Sequence, residues 1–208
     1  MKLQVSFDIP DLDKALNIAH EIIDHVDIFE LGLLLIYKHG IHAVETFRKA
    51  FPEKVLLVDL KLIARGYDAI PLFAQAGANW VTVLAGASQN AIHATCNEAS
   101  KYNMRAMIDL LDAPTLGQSA LEAKNVGASA LIFYQPYDDK EALIYLDNWD
   151  MIRGNTDLPI FIAGKIKRSN VKNAIKVKPD GIIIGRSIME AENPLEEVKF
   201  FRDVCNNN

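Results

Sequence analysis

Sulfur, imidazole and surplus positive charge are all scarce here, and each shortage excludes a class of protein. The two cysteines, Cys96 and Cys205, stand far apart without CxxC spacing. A disulfide framework is therefore not expected, and a reducing cytosol fits better. Lys and Arg number 22 against 27 Asp and Glu, a net charge of −5. A chain of that sign has no general attraction to nucleic acid or to an anionic membrane, so any phosphate must be held by a local cluster of donors. Apolar runs such as Leu33 to Tyr37 and Gly181 to Gly185 fall far below the roughly 18 residues of a membrane helix. The opening Met1-Lys-Leu-Gln-Val has no charged, apolar and cleavable leader pattern. The expectation is a cytoplasmic protein. No Pro/Gly/Ser-rich linker, low-complexity tract or break in composition divides the chain, which predicts one domain over residues 1–208.

Half of the residues are hydrophobic, ample for a sizeable core. They recur as short strand-like runs at 3–9, 28–35, 54–62, 80–86, 105–111, 130–136, 159–166 and 181–188. These runs are mostly apolar rather than alternating, the signature of strands buried on both faces in a parallel sheet. Helical stretches lie between them. Leu12, Ala15, Leu16, Ala19, Ile22, Ile23 and Val26 recur at steps of three and four behind a capping Asp11. Near the end, Asn193 can cap, Pro194 suits the first helical position, and Leu195, Val198 and Phe201 line one side. Gln75-Ala-Gly-Ala-Asn-Trp-Val-Thr-Val and Asn125-Val-Gly-Ala-Ser-Ala-Leu-Ile-Phe both read as helix end, C′ glycine and strand. Spread over eight units, 208 residues leave about 26 each, a βα length that predicts a (β/α)₈ TIM barrel. A doubly wound open sheet is the rival, but the first βα turn, Asp8-Ile-Pro-Asp, lacks its glycine-rich phosphate fingerprint.

A barrel carries its chemistry at the C-terminal ends of its strands. Asp8, Glu30, Asp59 and Asp109 fall there, and Lys61, two residues beyond Asp59, projects to the same face of a strand. A lysine among carboxylates can donate or accept a proton, and two of the acids can hold a divalent cation through hard oxygens. The plainer alternative is that some of these acids cap the next helix or merely pair with Lys61. At the ends of strands seven and eight, Gly164-Lys165 and Gly185-Arg186 can cradle a phosphate through backbone N–H groups and a guanidinium fork. As bare turn glycines with a surface arginine they would carry no chemistry. His20, His25, His39, His42 and His93 all fall in helical stretches or at their ends, which argues against a histidine base or a multi-histidine metal centre. Cys96 reads as core packing, and the basic stretch from Lys167 to Lys178 as a solvated face.

The segments Val58-Asp-Leu-Lys-Leu-Ile-Ala, Phe29-Glu-Leu-Gly and Gly185-Arg-Ser-Ile, with Trp80-Val-Thr-Val-Leu of strand four, resemble the orotidine-phosphate decarboxylase superfamily. The likeness extends over essentially the whole chain and is nearest the branch of 3-keto-L-gulonate-6-phosphate decarboxylase and 3-hexulose-6-phosphate synthase. It implies a single-domain barrel, a homodimer, Mg²⁺ and an enediolate formed on a sugar phosphate. Carried onto this chain, it implies Glu30 and Asp59 as metal ligands, with Lys61, Asp59, Asp8 and Asp109 at the reaction centre. Gly164, Lys165, Gly185 and Arg186 then fall on the phosphate loops. The chain also departs from that pattern. The motif Asp-x-Lys-x-x-Asp ends here in Ala64, the strand-six histidine is Tyr134 and the following arginine is Tyr137. Leu33 stands for the threonine after Glu-x-Gly, and Lys165 for the second glycine of loop seven. Three readings follow: a carbon–carbon lyase of this branch, an isomerase or epimerase on the same barrel, and a non-catalytic binder of a phosphate ligand.

Overall fold

Every apolar run pairs in parallel with the next. The strands are β1 (Lys2–Phe7), β2 (Ile28–Leu31), β3 (Val55–Leu62), β4 (Trp80–Leu84), β5 (Arg105–Asp109), β6 (Ala130–Tyr134), β7 (Ile160–Ala163) and β8 (Gly181–Ile184). β8 returns to β1 in the register Lys2↔Gly181 to Val5↔Ile184, which closes the barrel. The open-sheet alternative is thereby excluded. The structure, a computed structural model, describes residues 1–134 and 142–207, and the side chains of all of these except 142–147. Tyr137 lies outside the described residues. Among the described residues no helix is long and apolar enough to cross a membrane.

Helices α1 (Leu12–Ile22), α2 (Leu33–His39), α3 (Ile41–Ala50), α4 (Gly66–Gln75), α5 (Gln89–Lys101), α6 (Leu116–Asn125), α7 (Ala142–Arg153), α8 (Val171–Ala174), α9 (Arg186–Met189) and α10 (Pro194–Asn206) connect and follow the strands. The local signals act as their chemistry predicts. Asp11 accepts from the Lys14 N–H at 2.9 Å, and Asn193 accepts from the Glu196 N–H at 3.0 Å with Pro194 opening α10. Gly77 and Gly127 follow α4 and α6 at φ +100° and +87°, the left-handed region that costs glycine least.

Strand ends are where the expectation fails. The run 28–35 stops as a strand at Leu31, and Leu33, Leu34 and Leu35 open α2. The run 181–188 stops at Ile184, and Ile188 belongs to α9. Hydrophobicity persists across these boundaries because the first turn of the following segment packs back on the barrel: Leu35, Ile36 and Ile188 are buried, as is Ile166 beyond β7. A continuous apolar run carries no period with which to separate the two structures.

Alternation along each strand sorts the core into two regions. Outward residues such as Leu3, Val5, Phe29, Leu56, Val81, Ile108, Leu131 and Ile162 pack under the helices. Inward ones, Ile28, Leu57, Met107, Ala130, Ile132, Phe161 and Ile183, fill the barrel itself. Gly181 belongs to the inward set, where an added Cβ would meet three carbons of the Phe161 ring within 3.0 Å. Gly181→Ala should therefore lower stability by about 1–3 kcal/mol through overpacking. In thermal unfolding it should lower Tm by several degrees, and Phe161→Leu in the same chain should recover part of that loss.

Candidate active site

At the C-terminal end of the barrel the inward positions change from apolar to polar. β1 contributes Gln4 and Ser6, β2 Glu30, β3 Asp59 and Lys61, β4 Thr82, β5 Asp109 and β6 Tyr134. The Lys61 ammonium is the centre of this layer. It donates to Asp109 Oδ2, lies 3.4 Å from Asp59 Oδ2, and reaches Tyr134 Oη at 3.4 Å. Three donors thus meet three oxygens. Burial works against the Lys61 charge, but Asp59 and Asp109 outweigh it and hold the ammonium above its ordinary range. Asp109, fully buried, also accepts from Tyr134 Oη at 3.0 Å and from the Leu111 N–H at 2.9 Å. Burial, with the Asp109 charge next, pushes the Tyr134 phenol far up, so it stays a neutral donor.

Glu30 sits deeper. Gln4 Nε2 donates to its Oε2 at 2.5 Å and Ser6 Oγ to its Oε1 at 2.8 Å. Glu30 pairs with Leu57 in the sheet, and Asp59 lies two residues farther along β3 on the same side. Burial first, and the Asp59 charge second, push the Glu30 carboxyl up to about 7. Asp59 is also raised by burial, against the pull of Lys61 and Thr82. Two oxygen-bearing groups that resist ionising side by side fit a divalent cation, whose charge would relieve both. Among the described residues no cluster of three or more His, Cys, Asp or Glu could hold a metal. A cation held by this pair would therefore complete its shell from water or substrate.

Asp8 and Gly32 are neighbours. Asp8 Oδ1 accepts from the Leu34 N–H at 2.8 Å and so caps the start of α2, while a Cβ on Gly32 would approach Asp8 Cβ to 2.6 Å. The Glu-x-Gly pattern thus opens room for Asp8, whose exposed carboxylate is not among the partners of Lys61. Loop seven turns on two successive residues at positive φ, Gly164 at +96° and Lys165 at +45°. The second is a conformation glycine enters without strain, and here a lysine holds it. Gly185 lies against β1, where its Cβ would stand 3.4 Å from Ser6 O, and Ser6 in turn donates to Glu30. Loop eight and the acidic pair therefore share one cup. Arg186 is exposed, 3.7 Å from Glu190 across one helical turn. Ala64 falls in an exposed bend after β3. His39 Nε2 faces Pro10 O at 3.0 Å, as a surface histidine would.

A family model described as orotidine 5′-phosphate decarboxylase / HUMPS matches residues 1–201. The chain belongs to this family. Relatives of the same length support it. The 3-hexulose-6-phosphate synthase 2 of Staphylococcus saprophyticus is 28% identical over 206 residues, covering 98% of this chain and 97% of that protein. The 3-hexulose-6-phosphate synthase of Salmonella typhimurium superposes with a TM-score of 0.90 at 26% identity, covering 100% of this chain and 99% of that one. The KGPDC of Streptococcus mutans, solved as a complex, gives 0.88 at 25% identity, covering 99% and 97%. Within the family's barrel, sequence reasoning had missed Gln4, Ser6 and Thr82. Strand parity could have found them, since each is a polar residue on the inward face of an apolar strand.

Because the Glu30 carboxyl titrates higher in the fold than its ordinary value of 4.5, its protonated form favours folding. That contribution is full below about pH 4.5 and lost as pH rises through about 7. Thermal unfolding without divalent cations should show the chain gaining on Glu30→Gln by up to about 3 kcal/mol between pH 8 and pH 5. In that variant Gln4 can turn its amide so that Oε1, buried without a partner among the described residues, accepts a hydrogen bond. A pH profile unchanged by the substitution would remove the raised carboxyl.

Proposed function

We propose that this chain is a carbon–carbon lyase acting on a ketose 6-phosphate, by decarboxylation or by aldol-type joining and cleavage. The observation that carries the reading is one protonated lysine, Lys61, held between Asp59 and Asp109 beside the Glu30–Asp59 pair. Family membership and the names of the full-length relatives support it. Glu30 and Asp59 would hold Mg²⁺, which suits hard oxygen donors. When bound, it supplies a Lewis acid that draws negative charge from substrate oxygens. The chain's own residues do the rest. Breaking a bond next to a carbonyl leaves an enediolate, and Lys61 Nζ is the fixed positive charge that faces it. Tyr134, donating to Asp109, keeps that carboxylate aimed at the lysine. The backbones of Gly164, Lys165 and Gly185, with the Arg186 guanidinium, would grasp the phosphate and fix the sugar in place. Asp8, at the rim, would meet a sugar hydroxyl.

Purified protein with Mg²⁺ should release CO₂ from 3-keto-L-gulonate 6-phosphate or join formaldehyde to ribulose 5-phosphate. Ala64 and Tyr134, which stand where the family has an acid and a histidine, favour a second reading. Proton exchange into a sugar phosphate without carbon loss would shift the assignment to an isomerase or epimerase. Phosphate-ligand binding with no turnover would shift it to a binder. Under the lyase reading, Lys61→Ala should cost about 10²–10⁴ in kcat/KM. Asp59→Asn should weaken Mg²⁺ binding, and Arg186→Ala should mainly raise KM. Unchanged Mg²⁺ affinity in Asp59→Asn would remove the metal assignment.

Homodimerisation belongs to the same proposal. Tyr37 of α2, Ile63 after β3 and Tyr67 of α4 are exposed large apolar side chains on segments that follow β2 and β3, at 76%, 61% and 58%. Tyr37→Asp with Ile63→Asp should shift the sedimenting species from dimer to monomer, and a chain already monomeric without them would end that part. Buried, unpaired Cys96 and Cys205, their thiols pushed up to about 11 by burial, suit a reducing cytoplasm.

A further inference from the structure

The register between β3 and β4 is broken at the site. Val58 pairs with Val81 and Leu62 with Val83, so Asp59, Leu60 and Lys61 together face the single residue Thr82. Such a bulge leaves backbone N–H groups without ladder partners and bends the strand, and here Lys61 takes φ +43°. The Thr82 hydroxyl makes good the loss. The Leu60 and Lys61 N–H groups donate to Thr82 Oγ1 at 3.0 and 2.8 Å. With both acceptor positions filled, its one proton is committed, and Thr82 Oγ1 donates to Asp59 Oδ1 at 2.6 Å. Asp59 Oδ2 is left facing Lys61 at 3.4 Å. Thr82 is fully buried, so its hydroxyl is shielded from water.

We infer that Thr82 is a positioning residue, whose hydroxyl fixes the bulge in β3 and through it the relative placement of the Asp59 carboxylate and the Lys61 ammonium. The inference rests on the lyase reading for its effect on rate, but not for its effect on geometry. A methyl group in place of the hydroxyl would leave two part-buried N–H donors and one buried carboxylate oxygen without their partner. Packing volume would be kept, so the loss is one of alignment rather than of core.

The test compares Thr82→Val, Thr82→Ser and the unaltered chain in three measurements. In the unaltered chain the Leu60 and Lys61 amides should exchange slowly with deuterium, and in Thr82→Val at least about tenfold faster, with Val58 and Val81 unchanged. Mn²⁺ alone, titrated by its paramagnetic signal, should bind more weakly to Thr82→Val. Turnover by the folded variant should fall about 10- to 100-fold in kcat with KM within about threefold, and Thr82→Ser should recover most of the lost kcat. A residue that served only stability would lower Tm and leave kcat of the folded protein intact, which would overturn the inference. So would fast exchange of Leu60 and Lys61 in the unaltered chain, or a serine variant as impaired as the valine one. Should Thr82→Val not fold, Thr82→Ala replaces it, and the exchange measurement on the unaltered chain decides by itself. Failure of the lyase reading would appear separately, as no turnover in any form while the exchange pattern holds.

Discussion

The Lys61 ammonium lies at the C-terminal end of a closed sheet with a carboxylate on either side, and the polar layer is organised around it. A charge in that position is stable only because Asp59 and Asp109 are close, and those carboxylates are tolerated in turn because the ammonium and their hydrogen bonds offset the cost of burial. Removing one partner of such a set leaves another buried and unmatched. The interdependence extends to Tyr134 through Asp109, to Thr82 through Asp59 and to Glu30 through its repulsion from Asp59.

The barrel supplies the setting in which that arrangement is stable. Its lower interior is filled by Phe161, Met107, Leu57 and Ile132, with Gly181 giving space to the Phe161 ring. Above that layer the inward positions turn polar while the outward ones stay apolar under the helices. One end of a packed core therefore becomes a polar cup without interrupting the sheet's burial. The phosphate-loop candidates lie where β7 and β8 end, and Gly185 meets the Ser6 backbone, whose hydroxyl holds Glu30. An anion grasped there would lie beside the acidic pair rather than on a distant face.

The two departures that the resemblance implies, Ala64 and Tyr134, differ in their surroundings. Ala64, in an exposed bend, carries no acid, and the nearby Asp68 is paired with Arg65 on the surface. Tyr134 is integrated into the Lys61–Asp109 contact and carries a proton-bearing oxygen at the cup. A phenol held neutral by burial orients its neighbours well and gives up a proton poorly, unlike an imidazole.

Local chemistry was written plainly along the chain. The caps at Asp11 and Asn193, the glycines after α4 and α6 and the eight apolar runs each depend on neighbours within a few positions, so periodicity and turn chemistry sufficed to read the alternating units and the barrel. The acids and the lysine were legible because charged residues at the ends of apolar strands are conspicuous. Strand ends were not, since apolar side chains that pack the next turn look the same as those inside a strand. Nor was the role of Thr82: strand parity marks its hydroxyl as inward, but what that hydroxyl bonds follows only once the facing strand is known to bulge. Which groups touch was decided only by closure of the sheet, which brings Lys61 to Asp109 across 48 positions and Tyr134 to Asp109 across 25. Distance along a chain says nothing of distance across a barrel, and the charge states of Glu30, Lys61 and Tyr134 follow from the second.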